Sequence, residues 1–132
     1  MGLIFTDITL TNVRDDTLQP IVVNAMVDTG AVHLCIPETV AIQLKLEEIE
    51  RRQVTIADGS SRSVAYVGPI KITKGNRSCF TGAMVLGNQV LLGAIPMEDM
   101  DLIARPVTRD VVPNPASPNM PASLAMGVRP TR

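Results

Sequence analysis

Aromatic residues are almost missing from this chain, which has no tryptophan, one tyrosine and two phenylalanines among 132 residues. Single-stranded nucleic acids are held by stacking bases on aromatic faces along a basic groove. The basic groove is missing too: 12 lysines and arginines stand against 13 aspartates and glutamates, a formal net charge of −1. No field draws a phosphate backbone, and nucleic acid is not an expected partner. Histidine occurs once, at His33, and cysteine twice, at Cys35 and Cys79. These residues form neither a CxxC redox pair nor a zinc pattern, so no metal and no cofactor is expected. Both cysteines read as small apolar core residues. Long apolar runs are absent as well, none approaching the ~20 residues that span a bilayer. The opening MGLIFTDITLTN lacks the basic flank and the apolar length of a signal peptide. The expectation is a soluble, cytoplasmic protein with reduced thiols and no membrane partner.

Aliphatic and β-branched residues are plentiful, with 45% of the chain hydrophobic, enough to bury one continuous core. LIFTDITLT (3–11) reads as a strand, and the turn-like run Asn12 to Asp16 separates it from a second strand at Ile21 to Val27. In PETVAIQLKL, Pro37 suits a first helical turn, while Val40, Ala41 and Leu44 share a face, predicting a short helix. Beyond the charged stretch Glu47 to Arg52, VTIA and SVAYV flank Asp58-Gly59 as a hairpin. Strands at Ile70 to Thr73, Cys79 to Leu86 and Val90 to Ala94 follow, then a second short helix over Ile95 to Met100 and an extended segment from Asp101 to Ala104. The predicted fold class is all-β with one or two short helices, occupying residues 1–105. From Pro106 the periodicity is lost and six of the ten prolines accumulate, so 106–132 reads as a proline-rich extended or disordered tail.

The segment with chemical content is VNAMVDTGAVHLCI, Val23 to Ile36, where Asp28-Thr29-Gly30 follows an apolar strand. A carboxylate in a tight turn at the end of a buried strand is rigid and open on one side. Two such carboxylates face to face cannot both ionise cheaply, and they share one proton. One oxygen then takes a proton from water while the protonated carboxyl donates to a peptide carbonyl. By itself the tripeptide is equally compatible with a plain turn. About sixty residues downstream, Leu91-Leu92-Gly93 has the composition of a strand whose glycine lets two backbones approach closely.

In this order and spacing, DTGA at Asp28 to Ala31 and LLG at Leu91 to Gly93, the chain resembles the retroviral-type aspartic proteases and their short prokaryotic relatives, from Leu3 to about Ala104. The resemblance implies a small closed barrel of the retropepsin type and an aspartic endopeptidase acting on an extended peptide or protein substrate. It makes Asp28 the catalytic carboxylate, supported by Thr29, Gly30 and Ala31, with Leu91, Leu92 and Gly93 packed beside that loop. It also makes Ala57, Asp58, Gly59 and Ser60 the tip of a flap. Acidic residues after DTGA and an arginine after the downstream glycine are usual in the viral enzymes. Here Val32-His33 and Ala94 stand in those places. No second Asp-Thr/Ser-Gly occurs, so the second carboxylate is expected from Asp28 of another copy in a homodimer. Two other classes fit the same residues: a peptide-binding or scaffolding dimer of this fold without catalysis, and an ordinary β-domain in which DTGA is only a turn.

Overall fold

The structure is a computed structural model that describes residues 3–130. It contains β1 (Phe5–Asn12), β2 (Ile21–Val27), β3 (Leu34–Ile36), α1 (Glu38–Gln43), β4 (Glu47–Thr55), β5 (Ser61–Lys74), β6 (Arg77–Val85), β7 (Val90–Leu92), α2 (Ala94–Asp99), β8 (Leu102–Arg105) and β9 (Asp110–Pro113). Seven strands form one sheet in the order β1-β2-β7-β3-β6-β5-β4, and an additional β1–β5 pairing closes six of them into a barrel with β4 outside on β5. Strands β8 and β9 form a separate antiparallel pair. The small closed barrel with two short helices is therefore the fold. No helix among the described residues is long and apolar enough to cross a membrane.

Alternation builds the barrel wall. In β1, Thr6, Ile8, Leu10 and Asn12 point inward and Phe5 and Asp7 outward, so one face is apolar except at its ends. Ile8 and Leu10 meet Ile70, Ile72, Leu34 and Leu92 in a continuous core. Asn12 is buried, and its side-chain amide donates to the Leu44 carbonyl at 2.8 Å, which satisfies the carbonyl left free just past α1. Pro37 stands one position earlier than expected, as the extended residue immediately before α1.

Two strands are longer than their sequence suggests. The charged stretch from Glu47 belongs to β4, although Glu47 to Arg51 are exposed on both faces. As the outer strand, β4 needs no buried face, and its charges guard a free edge against pairing with another chain. SVAYV and IKIT are one strand, β5, whose register against β6 shifts between Val67 and Ile70. Gly68 lies at this shift with φ +153°, where an added Cβ would meet the backbone at Gly82.

The chain past Pro106 is also more ordered than its composition suggests. Val111 of β9 lies in the core. Arg77 is 1% exposed, and its guanidinium donates to the Ser117 carbonyl. Its Nε and Nη1 have no hydrogen-bond partner among the described residues. A buried cation with one acceptor depends heavily on it. Cutting the chain after Pro113 is expected to lower stability by about 3 kcal/mol while strand content persists. Adding Arg77→Met to the shortened chain should restore most of that loss, and chemical denaturation of the full-length and shortened chains, each with and without Arg77→Met, measures both terms. No recovery would place the tail's contribution elsewhere.

Candidate active site

Strand β7 lies between β2 and β3. It runs parallel to β2, with Val27 beside Leu92, and meets β3 with Cys35 opposite Leu91. This insertion brings the two motifs together. The Asp28 N–H donates to the Leu92 carbonyl at 3.1 Å, and the Ala31 N–H donates to the Asp28 carbonyl at 3.0 Å. One Asp28 carboxylate oxygen accepts the Gly30 N–H at 3.0 Å, which orients the side chain from within its own turn. From the far side, the N–H groups of Ala94 and Ile95 donate to the carbonyls of Ala31 and Val32 at 2.9 and 3.0 Å. The first turn of α2 thus fastens the loop from below. Gly93 makes this possible, since a Cβ there would collide with the His33 carbonyl oxygen and lie 2.8 Å from both the Ala31 oxygen and the His33 nitrogen.

Above the loop opens a cleft of about 710 Å³. Asp28, Gly30 and Ala31 form one side of it, and residues Gln53 to Ala57 of the β4–β5 hairpin form another. Val32, Ile56 and Leu91 contribute apolar wall. The hairpin turns at Asp58-Gly59-Ser60. Gly59 takes φ +86°, and the Asp58 carboxylate accepts the Ser60 N–H and hydroxyl at 2.8 and 2.6 Å. Those two bonds hold the Asp58 carboxyl below its ordinary value.

Of the residues singled out from sequence, Asp28, Gly30, Ala31, Ala57 and Leu91 meet at this cleft. Thr29 faces a separate groove beside α2, Leu92 is in the core, Gly93 packs behind the loop, and Asp58 to Ser60 form the hairpin tip. Sequence reasoning missed the cleft floor, formed by Cys35, Met84 and Leu86. Nothing local marks these three, because β3 and β6, which pair in parallel, lie far apart in the chain.

His33 also lines the cleft, edge-on to Tyr66 at 6.3 Å, and the Arg52 guanidinium covers the Tyr66 ring at 3.7 Å. Burial first and the nearby Arg52 charge second lower the His33 pKa from 6.5. The fold therefore favours the neutral ring and binds fewer protons there than the unfolded chain does. The associated stability is complete above pH 6.5 and is lost as pH falls through the lower folded value. From neutral pH downward, the melting temperature of the wild type should drop more steeply than that of His33→Gln; parallel curves would refute this.

Cys35 is buried in the cleft floor. Burial, and secondarily the Asp28 carboxylate, raise its pKa, so the thiol stays protonated and is no nucleophile. Burial pushes the Cys79 thiol up to about 12. Among the described residues no three His, Cys, Asp or Glu side chains are placed to hold a metal ion.

Residues 15–112 match the model of a protein family described as aspartyl protease. The chain belongs to the aspartyl protease family. The match takes in the Asp28 loop, the hairpin over the cleft and the Leu91-Leu92-Gly93 strand, so the sequence elements that meet at the cleft all fall inside it. No curated protein matches this family member.

Proposed function

We propose that the protein is an aspartic endopeptidase whose active site forms between two copies, each supplying Asp28. The observation that carries this is the pairing of one rigid, cleft-facing Asp-Thr-Gly loop with the absence of a second one in the sequence. Two Asp28 carboxylates within hydrogen-bond reach would share one proton. An extended peptide would lie across both clefts under the two hairpins, its side chains against the apolar walls. The ionised carboxylate takes a proton from a water molecule as that water's oxygen bonds to the peptide carbonyl carbon. The other carboxyl gives its proton to the carbonyl oxygen. The carboxyl that took the water proton then gives it to the amide nitrogen, while the other takes back the proton of a diol hydroxyl, so that the C–N bond breaks and the pair is again half-protonated. A cytoplasmic, reducing setting agrees with the two unpaired, buried cysteines.

The half-site arrangement has a direct test. Wild-type chain is unfolded and refolded with increasing excess of Asp28→Asn chain, so that subunits reassort at random. Mixed dimers hold one carboxylate and one amide and cannot pass a proton between two acids. Cleavage of a peptide library per wild-type chain should fall in proportion to the wild-type fraction. Constant activity across the series, with mixed dimers confirmed by mass, would reject a shared site.

A further inference from the structure

Alternation along β4 sets Arg52 on the same face as Val54, which lines the cleft, and the register places Arg52 opposite the buried Val64 of β5. The cleft floor runs out to this point as a row across four strands. Leu91 lies opposite Cys35, Cys35 beside Met84, and Met84 opposite Tyr66. The first three line the cleft, and Tyr66 ends the row. Its ring is pinned in place: the Gly82 N–H donates to the Tyr66 hydroxyl at 3.2 Å, and a Cβ added at Gly82 would run into the ring. On this fixed platform rests the Arg52 guanidinium, 3.7 Å from the ring centre.

The guanidinium is held but not used up. Its Nε donates to the Glu50 carboxylate at 2.9 Å, and neither terminal nitrogen has an acceptor among the described residues. Glu50 is itself 52% exposed, so water screens much of its pull on the cation. The Arg52 side chain is 33% exposed, which leaves its free end within reach of a ligand. Packing the hairpin on Tyr66 needs only an apolar stem, which a methionine would supply; a planar fork with unused N–H groups is suited to a carboxylate. The charges around the cleft point the same way. Asp28 is the single acidic residue in its lining, and Arg62, opposite Val54, puts a second cation on this face of the hairpin.

We propose that Arg52 is a specificity-determining residue, the free end of its guanidinium taking the carboxylate of a Glu or Asp side chain of the bound peptide at a position remote from the scissile bond. This rests on the endopeptidase reading and narrows its substrate class: extended peptides that are apolar where they cross the Asp28 loop and acidic further along. Beside the scissile bond an acidic side chain would meet Asp28 and apolar walls, which confines the preference to the Arg52 end.

Fluorescent peptides that are apolar in the middle, and differ only by Glu or Gln at one position moved along the chain, test this. At the position that reaches Arg52, Glu should raise kcat/KM at least ~5-fold over Gln, as for a charge-assisted pair at a partly exposed site. Arg52→Gln should bring that ratio to about 1, and Arg52→Glu should turn the preference at the same position toward Lys over Gln. Each ratio is taken within one preparation, so a loss of folded protein cancels. A wild-type chain that cleaves but favours Glu at no position, or a preference that survives Arg52→Gln, would overturn the acidic subsite and leave the endopeptidase standing. If no peptide is cleaved, the endopeptidase reading falls, and titration of the same peptides onto wild-type chain decides the subsite by itself. Tighter binding of a Glu peptide, lost in Arg52→Gln, would uphold it, and equal affinities would overturn it.

Discussion

Replacing Asp28 with Asn is expected to reduce peptide hydrolysis by at least ~10⁴-fold, since general acid and general base catalysis each contribute about 10²–10⁴ and both pass through this pair. The substitution is nearly silent for structure. The Gly30 N–H now donates to a carboxylate oxygen at 3.0 Å and can donate equally to the amide oxygen of Asn, so the turn keeps its shape. In the proposed dimer, one source of repulsion between like charges disappears, and the melting temperature should hold or rise. Initial rates on a peptide library, with thermal melts of the same preparations, separate loss of chemistry from loss of fold. Cleavage retained by a clean preparation would remove Asp28 from the mechanism.

The second large effect is expected at Gly93. The added Cβ of Gly93→Ala meets backbone on every close side, namely the carbonyl oxygens of His33 and Ala31 and the His33 nitrogen. No side chain can rotate away to make room. Either β7 withdraws, breaking the Asp28 N–H bond to Leu92, or the Asp28 loop moves and releases Ala94. A cost of about 2–4 kcal/mol is expected, as for other overpacked or strained sites. Activity should fall well beyond what the lost stability explains, because the same contacts set the position of Asp28. Gly127→Ala is the control, since nothing lies within 4 Å of the position its Cβ would take. Denaturant midpoints and cleavage rates for the two variants decide the matter. A Gly93→Ala protein as stable and active as wild type would show that the loop does not depend on this close approach.

These expectations depend on how far apart in the chain the cleft residues lie. Asp28, Leu91 and the hairpin tip at Asp58-Gly59 could be singled out because each carries a local signal: an acid in a glycine turn, an apolar pair before glycine, and a turn dipeptide between alternating runs. Cys35, Met84 and Leu86 carry none. They reach the cleft floor because β3 pairs with β6 in parallel and with β7 in the antiparallel sense, and a short apolar strand does not encode which neighbour it will take. The extent of β4 was hidden for a related reason. Alternation reveals a strand with one buried face, and Glu47 to Arg51 bury neither.

By itself, then, the amino-acid order determined an all-β domain with short helices, one aspartate loop, and a partner strand ending in glycine, because periodicity, turn chemistry and short motifs act over a few residues. Only the tertiary structure decided that β7 enters between β2 and β3, that Gly93 lies against the Asp28 loop, and that residues 114–122 are tied down by Asp101 and Arg77. Each of these is a meeting of segments at least thirteen residues apart. Such meetings are settled by which pairings best fill the core and satisfy buried polar groups, a competition over the whole chain that no local pattern records.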